Sequence, residues 1–331
     1  MANLSTTYMG FELKNPIIVG SSELTNKVSK IKKLSDAGAA AVVIKSLFEE
    51  QIMMEVDAQR VNNMYGSFNE VENYVAFYTK KHNLDEYLSL IKGAKDEVDI
   101  PVFASINCIS ASEWIEFAQK IEKAGADGLE LNMFIMPNDP NFEGSDIEKV
   151  YFKVVDNIKQ HINIPVALKI GTYFSGLANT FIELSKSNIS AMVLFNRFYS
   201  PDVNLEKEEI QASHIFSNPE DVSNSLRWIG MLSDKVQCDL AASTGVHDGY
   251  AALKNLLVGA KATHVVSAIY KNSPEFIKTM LEQMEEWMEN KGYKSIEDFR
   301  GKLNQSNVKQ PMMFERAQFM KYHSNYNDAQ Y

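Results

Sequence analysis

The sequence predicts an α/β fold, a (β/α)8 TIM barrel with insertions over the carboxyl face of its strands. Three observations lead to this fold: short apolar runs, helically spaced segments between them, and a glycine that repeatedly stands between helix and strand. Nearly continuous hydrophobicity is typical of parallel strands covered on both faces. The runs lie at residues 16–22, 40–46, 102–108, 128–134, 165–171, 191–198, 238–245 and 263–269.

The segments between these runs have the period of amphipathic helices. Residues 112–123 place Trp114, Ile115, Ala118 and Ile121 on one face. A glycine that ends a helix directly before a strand recurs, as expected for repeated βαβ units. The connections 47–100 and 199–237 are longer than such a unit requires, so we expect them over the catalytic face. Residues 1–302 are predicted to form the barrel and 303–331 a polar tail.

The composition excludes several classes of protein. Of 331 residues, 45% are hydrophobic, and the net charge of −10 argues against binding nucleic acid or an anionic membrane. The two cysteines, Cys108 and Cys238, lack the spacing of a metal site or of an iron–sulfur centre. No apolar stretch reaches the length of a membrane span, and residues 1–10 lack a signal-peptide pattern. We therefore expect a cytoplasmic protein.

Polar residues stand where several of the apolar strands end. Barrel enzymes collect their chemistry at the carboxyl ends of the strands. A buried lysine is costly unless an anion or an array of acceptors receives it. A single lysine or asparagine has structural explanations, but the whole set on one rim indicates a functional site. These residues are Ser21, Ser22, Lys45, Ser46, Asn107, Asn132, Lys169, Asn196, Ser243, Thr244, Gly245 and Ser267.

The residue types on this rim suit a flavin. Lysine and asparagine supply donors for the N1–C2=O edge of the ring and for a planar, amide-rich substrate, and a cation there stabilises the anionic reduced ring. Residues 243–257 contain a glycine turn that opens a helix, and the backbone N–H groups of the turn and the amino terminus of the helix can cradle a phosphate. Ser267 and Ala268 form the second half of the usual phosphate site of a barrel.

The motifs resemble those of the dihydroorotate dehydrogenase family, and more narrowly its dihydroorotate dehydrogenase-like branch. The similarity runs in register over about residues 3–300 and rests on NPIIVGSS (15–22), VIKSLFEEQ (43–51), LELNMFIMPN (129–138), PVALKIG (165–171), LFNRFY (194–199) and the stretch 243–270. The resemblance implies FMN contacts from Ser21, Ser22, Lys45, Ser46, Asn107, Asn132, Lys169, Asn196, Gly245, Ser267 and Ala268. It implies substrate contacts from Asn69, Asn132, Asn138 and Asn196. Lys169 is expected at the flavin N1/O2 edge, and Lys45 near the ring and the substrate.

One departure from the family concerns the catalytic base. The family's Cys or Ser base lies in the loop after the fourth strand, where residues 132–138 (NMFIMPN) contain neither. Cys108 is a candidate substitute, although a small cysteine is more often a core residue. Arg197 is a second departure, which either binds a substrate carboxylate or forms a salt bridge with Asp202 or Glu206. A surface role is predicted for His247.

Three functions follow from these patterns. The first is an FMN-dependent oxidoreductase that converts dihydroorotate to orotate in pyrimidine biosynthesis and transfers the electrons to an acceptor that the sequence does not identify. The second is a flavoprotein oxidoreductase with a different substrate, which the missing base favours. The third is a non-catalytic flavin-binding protein that serves a redox partner. The sequence leaves a homodimer open.

Overall fold

The computed structural model of the protein describes residues 2–48, 84–107, 111–197 and 200–315, without the side chains of 111–114. Within these residues eight parallel strands form a closed barrel, which confirms the predicted fold. All eight lie within, or within one residue of, the apolar runs that predict them. In chain order the strands are β1 (Thr6–Tyr8), β2 (Phe11–Leu13), β3 (Ile17–Val19), β4 (Ala41–Val43), β5 (Leu47–Phe48), β6 (Val102–Asn107), β7 (Gly128–Asn132), β8 (Val166–Ile170), β9 (Ala191–Leu194), β10 (Pro201–Asn204), β11 (Glu209–Ala212), β12 (Asp239–Ser243) and β13 (Ala262–Val265).

The barrel follows the order β4, β3, β13, β12, β9, β8, β7, β6, and the pairing of β4 with β6 closes it. The short β5 adds to β6 beyond the end of β4, with Leu47 opposite Ile106. Between β7 and β8 the register places Asn132 beside Lys169. Since both strands end at this level, two of the predicted site residues are neighbours at the carboxyl rim.

Helices surround the barrel. They are α1 (Val28–Asp36), α2 (Ala111–Lys123), α3 (Gly144–Lys159), α4 (Leu177–Ser185), α5 (Val222–Leu232), α6 (Gly249–Leu257), α7 (Ser267–Lys271) and α8 (Phe276–Lys291), and residues 84–97 are also helical. The amphipathic spacing of 112–123 correctly predicts α2, in which Ala118 and Ile121 are buried and Ile115 packs against the core. No helix in the described part of the chain combines the length and the hydrophobicity needed to cross a membrane.

The amino-terminal hairpin of β1 and β2 closes the lower end of the barrel. Its Tyr8, Met9 and Leu13 are buried against inward-facing strand residues that include Phe103. Most of those strand residues are small, which leaves room for the hairpin; they are Ala41, Ala167, Ala191, Ala241 and Ala262. The hairpin is tied down by Asp239, whose carboxylate accepts a hydrogen bond of 2.9 Å from the Met9 amide.

Successive inward-facing residues of a strand are two positions apart. Along these strands the inward-facing residues change from apolar to polar towards the carboxyl end. Above the alanine layer, the inward positions on β6, β7, β8, β12 and β13 carry Ser105, Glu130, Lys169, Ser243 and His264. This second layer lies directly below the carboxyl rim. The change in chemistry from one layer to the next separates the structural floor of the barrel from its functional end.

The second predicted insertion contributes to the upper end of the barrel. It contains the exposed antiparallel hairpin of β10 and β11, followed by α5. Of the first insertion, residues 49–83 lie outside the described residues. The described part of the tail, 303–315, lies against α5, where the Gln305 amide donates to the Gly230 carbonyl at 2.7 Å. The division of the chain at residue 302 stays a prediction.

Candidate active site

A cavity of about 550 Å³ lies at the carboxyl ends of the barrel strands, where the sequence predicts the site. The structure brings most of the predicted residues to its wall. Those that line it are Ser21, Ser22, Lys45, Ser46, Asn132, Lys169, Asn196, Gly245 and Ser267. Residues separated by more than two hundred positions therefore meet, because every parallel strand ends at the same face.

Other predicted residues lie elsewhere. Asn107, at the end of β6, and Ala268, buried in α7, are not part of the cavity wall, and Asn138 is exposed in the loop after β7. Asn69 and Cys108 lie outside the described residues. The ligand contacts assigned to the four other residues, and the role of substitute base assigned to Cys108, stay predictions.

One end of the cavity is shaped by the segment after β3. Ser22 caps the short helical turn Glu23–Thr25, and its hydroxyl accepts a hydrogen bond from the Leu24 amide at 3.3 Å. The turn presents Glu23 to the cavity, where its carboxylate is ion-paired with Lys45. The hydrogen bond from Lys45 holds the pKa of Glu23 below its usual range. Sequence reasoning missed Glu23, because nothing in its local pattern indicates that it meets a residue of the next strand.

Lys169 differs from Lys45 because its ammonium has no ion-pair or hydrogen-bond partner in the described part of the chain. It stands half-buried on the cavity wall beside Asn132. Nearby, the Asn196 amide donates to the Met133 and Lys169 carbonyls at 3.3 and 3.4 Å, which ties the ends of β7, β8 and β9 together. A half-buried cation without a protein partner is ready to receive an anion or an electron-rich ligand edge.

A glycine turn forms the opposite end of the cavity. Thr244 and Gly245 both have a left-handed backbone, with φ of 75° and 81°. A β-carbon on Gly245 would lie 2.1 Å from the Val222 nitrogen, so only glycine fits against the start of α5. No acceptor in the described chain takes the amides of Gly245, Val246, Ser267 and Ala268. Three of these residues, Gly245, Val246 and Ser267, line the cavity, and their free donors make this end suitable for a phosphate.

The amino terminus of α6, predicted to cradle a phosphate, is already occupied by protein groups. The Asp248 carboxylate caps the helix and accepts a hydrogen bond of 2.7 Å from the Ala251 amide. The Gly249 amide donates to the Gln283 side chain at 2.8 Å. Protein side chains therefore already satisfy two of the helix-start donors that the sequence predicts for a phosphate. The amides of the turn and of residues 267–268, which the sequence also predicts for the phosphate, remain free.

Arg197 organises the segment that covers the cavity. Its guanidinium donates to the His214 carbonyl at 2.6 Å and lies 3.6 Å from the Asp221 carboxylate. Of the two predicted alternatives the structure shows the salt bridge, but the partner of Arg197 is Asp221 and not Asp202 or Glu206. The sequence could not identify this partner because α5 approaches the barrel only in the folded chain.

The covering segment is also held from the side of the glycine turn. Ser217 bonds His247 Nε2 through its hydroxyl at 2.9 Å, and its carbonyl accepts from Lys271 Nζ at 2.9 Å. His247 is half-buried, so the surface role predicted for it was wrong. Burial and the charge of Lys271 lower its pKa. Ile215, Phe216 and Ser217 thereby become part of the cavity wall.

The first four residues of the loop after β7 offer no proton acceptor. Residues 133–136 are Met, Phe, Ile and Met. Tyr151 contacts this loop, with its hydroxyl accepting from the Ile135 amide at 3.1 Å, and burial raises the pKa of Tyr151 to about 12. Its phenol therefore stays protonated near neutral pH and cannot serve as a general base.

A buried pair lies below the rim, which sequence reasoning also missed. Glu130 and His264 are each about 2% exposed, and Glu130 Oε2 lies 3.7 Å from His264 Nδ1. Burial raises the pKa of Glu130, and both burial and Lys169 lower the pKa of His264. The available signals were Glu130 within GLELN and His264 within THVV, because titratable residues are rarely buried in an apolar strand without a partner or a function.

The fold and the cavity define a class of protein: a barrel enzyme whose polar site combines a free lysine, amide side chains and a turn of free backbone donors. The family model of dihydroorotate dehydrogenase matches residues 3–288. The chain therefore belongs to the dihydroorotate dehydrogenase family, a family of oxidoreductases, and the predicted resemblance is confirmed.

Curated relatives agree along nearly their whole length. The catalytic subunit of dihydroorotate dehydrogenase B (NAD(+)) from Thermoplasma volcanium is 25% identical over 316 residues, covering 91% of this chain and 98% of the relative. Dihydroorotate dehydrogenase A (fumarate) from Lactococcus lactis subsp. lactis is 24% identical over 328 residues, covering 91% and 99%. This level of identity supports a shared fold and chemistry but leaves room for changes in the site.

Proposed function

We propose that the protein is an FMN-dependent oxidoreductase that acts on dihydroorotate or a related dihydropyrimidine. The observation that carries this proposal is the unpartnered Lys169 on the wall of a cavity whose far end has free backbone amides. Family membership supplies the reaction type. The proposal adds FMN as the cofactor and assigns a role to each of the site residues.

The residues fit FMN at both of its ends. The phosphate would lie against the amides of Gly245 and Val246 and those of Ser267 and Ala268, where a β-carbon on the glycine would collide with backbone. The ring would lie near Lys169, whose ammonium forms no ion pair with a described carboxylate. The net charge of −10 disfavours an anionic ligand, so these local donors must provide the attraction. When bound, FMN supplies the hydride-accepting chemistry.

Around the ring, the chain provides orientation and electrostatics. Asn132 and Asn196 stand at neighbouring strand ends and offer amide groups to a planar substrate, as the family resemblance implies. Lys45, ion-paired with Glu23, supplies a cation whose position is held by its partner. Lys169 would stabilise negative charge on the ring.

Proton removal is the weak step of this site, because residues 133–136 carry no acceptor. General-base catalysis typically contributes about 10² to 10⁴ in rate. We therefore expect slow oxidation of dihydroorotate, with water as the acceptor, and less affected binding, since the asparagines recognise the ground state.

The test begins with the cofactor content of the purified protein, for which one FMN per chain is expected. Anaerobic stopped-flow mixing with dihydroorotate then measures flavin bleaching, and orotate affinity is measured on the same sample. Orotate binding with slow bleaching supports the proposal. Fast bleaching identifies another base, and Cys108→Ala then tests that thiol. A protein that takes up no added FMN contradicts the proposed cofactor.

The missing base also favours a second candidate, a flavoprotein oxidoreductase whose substrate needs no proton removal at this position. A flavin that neither bleaches with dihydroorotate nor binds orotate supports it. A non-catalytic flavin protein that serves a redox partner differs from both, because no small electron donor reduces its flavin. The electron acceptor, a homodimer and a cytoplasmic location stay predictions; acceptor screening, light scattering and fractionation test them.

A further inference from the structure

A series of hydrogen-bonding side chains leads from the cavity wall into the barrel. Ser21 Oγ lies 2.9 Å from Ser46 Oγ, which lies 2.7 Å from Ser105 Oγ. Ser105 Oγ donates to Glu130 Oε1 at 3.4 Å, and the other carboxylate oxygen lies 3.7 Å from His264 Nδ1. We call Ser21, Ser46 and Ser105 the serine relay. Each hydroxyl can accept one hydrogen bond and donate another, so the relay can carry a proton by successive transfers.

The inner end of the relay contains a concentration of unsatisfied polar atoms. Tyr8 Oη, Glu130 Oε2 and both ring nitrogens of His264 are buried without a hydrogen-bond partner among the described residues. Leaving such an atom unsatisfied is costly, because it loses its hydration without gaining a partner. His264 also lines the cavity, so its unpartnered ring borders the space that a ligand would fill. Four such atoms at and directly below this buried pair are costly as packing and are better explained by a site.

Two titratable groups face the Glu130–His264 pair from other elements. Lys169 reaches it from β8, and the phenol of Tyr8 reaches it from the amino-terminal hairpin. Burial raises the pKa of Glu130, and Lys169 opposes this; burial and Lys169 both lower the pKa of His264. The Lys169 charge therefore acts against protonation of both members of the pair. A negative charge placed beside Lys169 would cancel that influence.

We propose that Glu130 and His264 form a proton-binding site below the cavity, which is filled through the serine relay when the cavity's occupant gains negative charge beside Lys169. The proton comes from solvent at Ser21. Each relay hydroxyl passes one proton forward, and Ser105 transfers one to the Glu130 carboxylate, which forms one O–H bond. No electrons move in this step. The proposal rests on the proposed function only in naming reduced FMN as the source of the negative charge.

The first experiment needs no flavin. Histidine ¹⁵N NMR of the flavin-free protein, with the His264 signal assigned by its loss in His264→Asn, gives the pKa of that ring. Lys169→Met imitates the arrival of a negative charge, so the pKa of His264 should rise. Lys45→Met is the matched control, since that lysine lines the same cavity but is paired with Glu23, and it should leave the pKa unchanged. An unchanged pKa in Lys169→Met overturns the proposal.

The second experiment uses the FMN-loaded protein. The pH dependence of the reduction potential counts the protons taken up with two electrons. In slightly alkaline solution we expect the wild type to take up about two protons, one on the flavin ring and one on the Glu130–His264 pair. Glu130→Gln and His264→Asn should each take up about one proton. Thr263→Val removes a buried hydroxyl beside His264 that bonds the Pro16 carbonyl, and it should keep the wild-type count. Equal counts in all four proteins overturn the proposal.

A third variant tests the relay itself. Ser105→Ala interrupts it without removing either titratable group. A pH-indicator dye should show the same final proton uptake after rapid reduction, reached more slowly than in the wild type. Uptake at the wild-type rate contradicts the relay. A chain that takes up no FMN contradicts the proposed function instead, and the Lys169→Met comparison then decides the proton site by itself.

Discussion

Gly245→Ala should damage both the fold and the phosphate end of the cavity. Gly245 has φ of 81°, and a β-carbon there would lie 2.1 Å from the Val222 nitrogen and 2.7 Å from the Asp221 carbonyl carbon. These are backbone atoms at the start of α5, so no side chain can rotate away. Either the turn or the helix must move, and the turn carries two of the four free amides.

The magnitude follows from two costs. An alanine in the left-handed region costs about 1–2 kcal/mol relative to glycine. Shifting packed backbone to relieve the overlap costs a further 1–3 kcal/mol or so. The sum of about 2–5 kcal/mol is a large share of a typical stability of 5–15 kcal/mol. At about 2 °C per kcal/mol for a large domain, the thermal midpoint should fall by roughly 4–10 °C.

The assay pairs thermal unfolding with FMN affinity. Gly10→Ala is the matched control, because Gly10 has φ of 84° and open space around the position of its β-carbon. It should show only the smaller, conformational cost and leave FMN binding unchanged. Loss of hydrogen bonds to a phosphate, at about 1.5–3 kcal/mol each, should weaken FMN binding about tenfold or more in Gly245→Ala. Equal midpoints and equal affinities for the two variants would refute the argument.

Three further predictions concern single side chains. Lys169→Ala should make the bound flavin harder to reduce, because a cation at the ring is lost; an unchanged potential in a redox titration would place this lysine elsewhere. Burial and Lys169 lower the pKa of His264 in the folded chain, so the unfolded chain binds that proton first. The resulting stability is complete above about pH 6.5 and lost as the pH falls, and thermal midpoints of His264→Asn should lack this loss. Burial raises the pKa of Cys238 to about 12, so in a Cys108→Ser background iodoacetamide near pH 8 should modify this thiol only after unfolding; labelling of the folded protein would contradict its burial.

Much of the candidate site could be predicted from local sequence, for a specific reason. Parallel strands all end at one face of a barrel, so a polar residue at the end of an apolar run is placed at the rim without knowledge of its partners. Lys45, Asn132 and Lys169 reached the cavity wall in this way. The separation between strand ends in the chain did not matter, because the topology alone brings them together.

Contacts between residues of different helices, strands and loops could not be predicted from local sequence. The ion pair of Glu23 with Lys45, the bond of Arg197 to the His214 carbonyl and the cap of α6 by Asp248 depend on the path of loops across the rim. A loop path follows from packing against the whole barrel, and no periodicity encodes it. For this reason the sequence could not show that protein side chains already satisfy two of the donors at the start of α6.

The sequence by itself determined the barrel, its strand ends and its family, because apolar runs, helical spacing and motif order are properties of neighbouring residues. Only the tertiary structure decided what lies inside the barrel. Glu130 and His264 belong to distant parts of the chain, and each is the single titratable residue of its strand. Closure of the sheet turns both side chains inward to within 3.7 Å of each other. Burial then disfavours the charged form of each side chain, so the protonation state of the pair depends on the charges around it.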